Sequence, residues 1–276
     1  MVTQEWTLTS KDGLRLAARG WAVESPKAAV ALVHGHGEHS MRYRHVADFF
    51  AANNLSTYAF DHRGHGISEG KRGHSPNYDS ILGDVGDFVD QVKEKNRDLP
   101  IFVYGHSMGG NLVLNYGHNR PAGVKGVVCS SPWIRLAFAP PKAKVILANV
   151  LESIYPSLTL SSGLDSRSLS HDGAVCDAYS KDPLVHDLIS VSLYNSMDRA
   201  GAKALANADQ FGLPLFLFHG SEDKLTSFEA SQEFAKKAND NVTFKPWEGL
   251  YHETHNEPQK QQVLEAVMNW INDQLL

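Results

Sequence analysis

The stretch that decides the fold is IFVYGHSMGGNLVLNY, residues 101–116. Its apolar start predicts a buried strand, and Gly105, Ser107 and Gly109 then form a G-x-S-x-G pattern ahead of helix-like sequence. The pattern alone also fits an ordinary tight turn, so its position between a strand and a helix carries the argument. There the glycines permit a sharp turn that exposes a hydroxyl, and the following helix N-terminus favours negative charge. We therefore predict that Ser107 is a nucleophile at the end of a strand.

Short continuous apolar runs occur on both sides of this stretch, and helix-like sequence follows most of them. Runs without polar alternation are typical of parallel strands that are covered on both faces. The predicted strands are 28–33, 55–60, 101–104, 124–129, 214–218 and 242–247. The helices are expected near 42–53, 78–96, 108–118, 228–239 and 258–274. Alternating sequence at residues 5–18, with a turn signal in its middle, predicts an antiparallel hairpin. The fold class is therefore α/β, with a mostly parallel, doubly wound sheet after an N-terminal antiparallel hairpin.

The interval between Ser131 and Gly212 interrupts this alternation of strands and helices. It contains no strand candidate over about 80 residues, which is far longer than the usual connection between two strands. We predict an inserted helical cap, residues 133–205, in a core formed by residues 1–132 and 206–276. Ligands of open α/β sheets bind beyond the carboxyl ends of the strands, so the insertion is expected to be a lid.

The first helical stretch of this insertion, residues 145–155, has its apolar residues mostly along one side. Val145, Leu147 and Leu151 are the candidate substrate-binding residues, because such a stripe would line a path for an apolar part of the substrate. Packing of the cap onto the core explains the same stripe equally well. A second helical stretch is expected near residues 186–208.

A nucleophilic serine needs a base, and the sequence contains 14 histidines. In hydrolases with a serine in this kind of turn, the partners follow in the order serine, acid, histidine. Asp223 stands after the fifth predicted strand and His252 in the loop after the sixth. We therefore predict Ser107, Asp223 and His252 as a catalytic triad, with Glu222 as the rival acid and His255 as the rival base.

An oxyanion hole requires two backbone N–H groups. One should come from Met108, the residue after the nucleophile, and the other from His36 in the glycine-containing loop after the first parallel strand. The same loop contains His34, Glu38 and His39, which are residue types of a zinc site. Serine chemistry needs no metal, so we predict neither a metal nor a cofactor.

Composition excludes some partners. The net charge is −5 and there is no run of lysine or arginine, so no nucleic-acid partner is predicted. The N-terminus has no pattern of a signal peptide, and no apolar stretch of about 18 residues predicts a membrane span. Cys129 and Cys176 are too few for a disulfide framework and are expected to be buried thiols in a cytoplasmic protein.

Four blocks of the sequence resemble the monoglyceride lipase and lysophospholipase family of α/β-hydrolases. They are HGHGEHS at 34–40, DHRGHGISEG at 61–70, GHSMGG at 105–110 and YH at 251–252. The resemblance runs from about residue 5 to the C-terminus and is weaker in the insertion. Where relatives have a small residue, this chain has His36. The second block is expected to be a rigid structural turn with its own charge network.

The resemblance implies an α/β-hydrolase fold and an esterase that cleaves monoacylglycerols or related lysolipids through an acyl-enzyme. The triad carries over onto Ser107, Asp223 and His252, and the oxyanion donors onto His36 and Met108. It also implies a mobile amphipathic cap with transient contact to membrane surfaces, and no cofactor. Two alternatives stay open: the same triad acting as an aryl or small-ester esterase or an aminopeptidase, and an inactive binding protein with a hydrolase fold.

Overall fold

The computed structural model describes residues 1–119, 121–139 and 142–276, and of residues 142–145 and 147 it describes the backbone only. The strands are β1 (Val2–Thr9), β2 (Arg15–Ala22), β3 (Ala28–Val33), β4 (Leu55–Phe60), β5 (Ile101–His106), β6 (Val124–Ser130), β7 (Thr159–Ser161), β8 (Leu188–Ser190), β9 (Leu215–Gly220) and β10 (Val242–Trp247). The α-helices are α1 (Arg44–Ala52), α2 (Tyr78–Lys95), α3 (Met108–His118), α4 (Lys142–Ile154), α5 (Gly173–Lys181), α6 (Val191–Ala206), α7 (Phe228–Lys237) and α8 (Lys260–Leu275).

Eight of these strands form one sheet, in the order β1-β2-β4-β3-β5-β6-β9-β10. The pairs β1–β2 and β2–β4 are antiparallel, and the other five neighbouring pairs are parallel. The predicted fold class and the N-terminal hairpin are therefore confirmed. All six predicted parallel strands are present, and their bounds differ from the prediction by two residues at most.

Alternate residues of the central strands enter two hydrophobic cores, one on each face of the sheet. In β3, Ala29, Ala31 and Val33 pack on the side of α2, α3 and α7, whereas the intervening residues pack on the side of α1 and α8. Residues of β3 are fully buried on both faces, which is why the strand reads as an unbroken apolar run. The two helical layers hold the carboxyl ends of the parallel strands at one fixed edge.

The insertion between β6 and β9 contains more than the helices that the sequence predicts. Helices α4 and α6 lie close to their expected positions, but α5 is an additional helix, and β7 and β8 pair as a small antiparallel sheet. The prediction of no strand in this interval was wrong. Each of these strands has only three residues, too few for a periodic pattern to be visible in the sequence.

No helix among the described residues is long and apolar enough to cross a membrane. Cys129 and Cys176 are free and buried, as predicted. Burial raises the pKa of the Cys129 thiol well above its ordinary value, so this thiol is protonated at neutral pH.

Candidate active site

Ser107 lies between β5 and α3 with φ 54° and ψ −115°, a backbone conformation that residues with a side chain rarely adopt. A Cβ atom on Gly105 would collide with the backbone of Gly109, and one on Gly109 would collide with the backbone of Val33. The two glycines therefore let β5, β3 and the start of α3 approach closely. Ser107 N donates to Ser130 O at 3.0 Å, which holds the turn in place.

The structure brings the three residues of the predicted triad together. His252 Nε2 lies 2.9 Å from Ser107 Oγ, and His252 Nδ1 lies 2.6 Å from Asp223 Oδ2. Because Nδ1 faces a carboxylate, it carries a hydrogen, and in the neutral ring Nε2 is free to accept the serine proton. Asp223 follows β9 and His252 follows β10, so neighbouring strand ends place the acid and the base side by side.

The Asp223 carboxylate is buried and accepts several hydrogen bonds. Oδ1 accepts from the backbone N–H groups of Leu225 and Thr226 at 2.7 and 3.1 Å. Oδ2 accepts from His252 and also from His219 Nε2, at 2.9 Å. Burial by itself raises the pKa of Asp223, but the charge of His252 and the two histidine hydrogen bonds outweigh it, so the pKa lies well below the ordinary value. The carboxylate is therefore charged at neutral pH.

The surroundings of His252 differ from those of its rival His255. Burial lowers the pKa of His252, but Coulombic attraction to Asp223 and the hydrogen bond to that carboxylate outweigh this effect and raise the pKa above the ordinary histidine value. His255 is stacked on Tyr43, with ring centroids 4.9 Å apart, and burial lowers its pKa to about 3. Neither ring nitrogen of His255 has a hydrogen-bond partner among the described residues. Glu222 is exposed on the surface. Geometry therefore favours Asp223 and His252 over both rivals.

The loop after β3 approaches the serine with its backbone. Within the described part of the chain, the N–H groups of His36 and Met108 have no protein acceptor. The ring of His36 packs against His65 and His186. Burial lowers the pKa of His36 to about 3, with smaller contributions from the nearby His186 and His62. The imidazole is therefore uncharged, and it adds no cation beside the serine.

A buried ion network next to the triad has no signal in the sequence. Arg42 Nη1 lies 2.5 Å from Glu38 Oε2 and 2.6 Å from Glu253 Oε1. Glu38 Oε1 accepts from Gly35 N at 2.7 Å, and Glu253 is the neighbour of His252. Arg42 therefore joins the loop that carries His36 to the loop that carries His252. Glu253 lies 211 positions from Arg42 in the sequence, so only the contacts in the structure reveal the network.

The alternative of a zinc site has no geometric support. No group of three or more His, Cys, Asp or Glu residues that could hold a metal ion occurs in the described ranges. His34 uses both ring nitrogens on backbone groups, those of Gly35 and His62. His39 pairs with Asp182 of the insertion at 2.9 Å. His34, Glu38 and His39 therefore have separate protein partners.

The block at residues 61–70 is a turn held by charges, as predicted. Asp61 Oδ1 accepts from Ser40 N at 2.9 Å, and Arg63 pairs with Asp84 at 2.6 Å and with Asp12 at 2.7 Å. None of these side chains reaches the triad.

Ser107 and His252 open into a cavity of about 290 Å³ between the sheet and the insertion. Its apolar lining residues include Trp133, Leu136, Phe138, Ala148, Leu160, Leu164, Leu169, Ile189, Val191, Tyr194 and Leu225. Its polar lining residues include His36, Glu38, Tyr179, Ser190 and Thr226. The site is therefore a mainly apolar pocket with a few polar groups near the serine, which is typical of a small-molecule site.

Of the three candidate substrate-binding residues of α4, the structure describes the side chain of Leu151 alone. The side chains of Val145 and Leu147 lie outside the described residues. Leu151 is half-buried but does not line the cavity, so its prediction needs correction. Ala148 of the same helix does line the cavity. Glu152, one helical turn later, pairs with Arg199 of α6 at 2.6 Å.

Comparisons with known proteins identify the family of this chain. The family model Hydrolase_4, described as serine aminopeptidase S33, matches residues 24–259. A monoacylglycerol lipase of Mycolicibacterium smegmatis is 34% identical over 97% of this chain and 96% of its own length. An uncharacterised abhydrolase domain-containing protein of Dictyostelium discoideum is 38% identical over the whole chain, which spans 30% of that longer protein.

The crystal structure of a monoacylglycerol lipase of Paleococcus ferrophilus superposes with a TM-score of 0.85 and 34% identity, over 94% of this chain and 99% of that one. The family match, the full-length relative and the structural neighbour all confirm the resemblance seen in the sequence motifs. The chain belongs to the Hydrolase_4 family, among the monoglyceride lipases of the α/β-hydrolase superfamily, and is a carboxylic ester hydrolase.

Proposed function

We propose that the chain hydrolyses monoacylglycerols with Ser107 as nucleophile, His252 as general base and Asp223 as the acid that orients it. The observation that carries this proposal is the hydrogen-bonded series Ser107–His252–Asp223 at the mouth of an apolar cavity. Full-length relatives that are named monoacylglycerol lipases support the substrate class.

In the first half of the reaction, His252 Nε2 takes the proton of Ser107 Oγ as the oxygen attacks the ester carbonyl. The backbone N–H groups of His36 and Met108 stabilise the negative oxygen of the tetrahedral intermediate. His252 then gives the proton to the leaving glycerol oxygen, and the acyl group remains on Ser107. Water repeats the same steps and releases the fatty acid. The ring of His36 is uncharged, so it adds no cation to this pathway.

The insertion supports a single-chain lipid substrate. The apolar lining residues fit an acyl chain, and several side chains of the insertion that face solvent are apolar. Ile146, Val150 and Ile154 of α4 are 65%, 53% and 74% exposed. We assign residues 133–205 to a cap domain, and we assign transient contact with lipid surfaces to this exposed face. A lysophospholipid also has one acyl chain, so lysophospholipase activity belongs to the same proposal. We also propose a cytoplasmic location for the protein.

The experiment is a hydrolysis panel of monoacylglycerols of increasing chain length, lysophospholipids, nitrophenyl acetate and amino-acid anilides. Wild type should release fatty acid from monoacylglycerols with the largest kcat/KM. Ser107→Ala should lose about 10⁴-fold or more in turnover and all labelling by a fluorophosphonate probe. Preference for anilides would instead support an aminopeptidase, and a wild type that neither turns over nor takes the probe would support an inactive binding protein.

A further inference from the structure

His219 is a fully buried histidine that the sequence motifs leave without a role. It lies in β9, four residues before Asp223 and away from the cavity lining. Its Nε2 lies 2.9 Å from Asp223 Oδ2, the same oxygen that accepts from His252 Nδ1 at 2.6 Å. Two histidines thus converge on one oxygen of the candidate catalytic acid.

The hydrogen on Nε2 follows from the neighbours of the ring. Nε2 faces Asp223 Oδ2 and the carbonyl oxygen of Thr226, at 3.2 Å, and both groups can only accept. Nδ1 lies 2.8 Å from Ser231 Oγ, a hydroxyl that can donate or accept. Nε2 is therefore a donor in either charge state of the ring, and the α7 residue Ser231 fixes the ring plane.

Other donors replace this contact poorly. The hydroxyl of Thr226 lies 2.9 Å from Asp223 Oδ2 and 3.0 Å from Ser131 O, but it has one hydrogen for two acceptors. The backbone donors from Leu225 and Thr226 reach Oδ1 instead. Without His219, the oxygen that faces His252 would have only His252 and a shared hydroxyl.

We propose that His219 is a positioning residue: oriented by Ser231, it donates its Nε2 hydrogen to Asp223 Oδ2 and holds the carboxylate in the place where it meets His252. This inference rests on the triad of the proposed function. It assigns no contact with substrate to His219, which acts through Asp223 alone.

The position of His219 has a consequence for the pH dependence of the reaction. A second donor withdraws negative charge from Oδ2, and so weakens the attraction that raises the pKa of His252. Removing that donor should raise the pKa of His252 further, so the rising limb of kcat/KM moves to higher pH. The remaining titratable or charged groups near His252 are unchanged by the substitution: His106, Glu253, Glu38, His255 and Arg42.

The experiment measures kcat/KM against pH for a short nitrophenyl ester in wild type, His219→Leu, His219→Gln and Ser231→Ala. Each preparation is titrated with a fluorophosphonate, so that rates refer to active enzyme. His219→Leu should move the midpoint of the rising limb upward by about 0.5 pH unit or more. His219→Gln should restore the wild-type midpoint, because an amide N–H replaces Nε2–H. Ser231→Ala should move the midpoint in the same direction by a smaller amount.

His118→Leu is the matched control, since it removes a histidine at the end of α3, outside the candidate site, and should leave the midpoint unchanged. If His219→Leu lowers only the titrated fraction of enzyme and the midpoint stays in place, the inference is wrong and His219 is merely structural. If His219→Leu does not fold, an unchanged midpoint in Ser231→Ala overturns the inference. Failure of the proposed function is distinct, because activity would then survive Ser107→Ala in otherwise wild-type protein.

Discussion

The Oγ atom of Ser107 lies 2.9 Å from Nε2 of His252, although 145 positions of sequence separate the two residues. The contact exists because β5 and β10 belong to one sheet and end at the same edge. The strained backbone of Ser107 directs the oxygen toward the imidazole. The hydrogen bond therefore depends on this backbone conformation as well as on the hydroxyl.

That strain predicts a stability difference between two inactive variants. Ser107→Gly should be more stable than Ser107→Ala by about 1 kcal/mol. A side chain at φ 54° and ψ −115° costs about 1–3 kcal/mol, whereas glycine adds about 0.4–1 kcal/mol of entropy to the unfolded chain. Urea denaturation of the two variants measures the difference. Equal stabilities, or a more stable alanine variant, would show that the turn stores little strain.

The assignment of the base predicts a particular pH profile. Asp223 raises the pKa of His252, and the base must be neutral, so kcat/KM should rise with pH and level off above the ordinary histidine value of about 6.5. His252→Ala should be nearly inactive at every pH. In His255→Ala, kcat/KM should rise with pH at the wild-type midpoint. The pKa of His255 is about 3, so this ring does not change charge near the midpoint. If the rising limb of kcat/KM disappears in His255→Ala, the general base is His255 and not His252.

The buried ion network predicts a large loss of stability for one arginine and a small loss for its neighbour. Arg42→Ala leaves Glu38 and Glu253 buried without their cation, which should cost about 3–5 kcal/mol. Arg44→Ala is the matched control, because its pair with Asp48 is exposed and should be worth about 1 kcal/mol or less. Thermal unfolding at neutral pH compares them. A small loss in Arg42→Ala would mean that the two glutamates are not both charged in the folded state.

The cap predicts separate effects on chain-length preference and on lipid surfaces. Leu160 lines the cavity, and each buried methylene of an acyl chain is worth about 0.8 kcal/mol. Leu160→Asp should therefore lower kcat/KM for long monoacyl esters at least about tenfold more than for acetate esters. Ile154 is 74% exposed and does not line the cavity. Ile154→Asp should therefore leave the chain-length preference unchanged when the substrates are dissolved, and should weaken binding to lipid vesicles. Equal losses on short and long esters in Leu160→Asp would place the acyl chain elsewhere.

The sequence by itself determined the strands and helices of the core and the residue types of the candidate site. Continuous apolar runs such as β3 can be read directly, because a strand buried on both faces has no polar positions. Ser107, Asp223 and His252 could be chosen among many alternatives because each follows a predicted strand, and the ends of parallel strands meet at one edge. The glycines beside Ser107 were informative for a similar local reason, since only glycine fits such a turn.

Only the tertiary structure decided what surrounds those residues. The short strands β7 and β8 form by pairing between two segments of the insertion, and no local periodicity encodes them. The structure alone also shows that Ala148 of α4 lines the cavity. The partnership of Arg42 with Glu253 joins residues 211 positions apart. His219 and His252 look alike as histidines near the ends of neighbouring strands. Their difference is which atoms each ring faces, and this depends on the packing of β9, β10 and α7 in three dimensions.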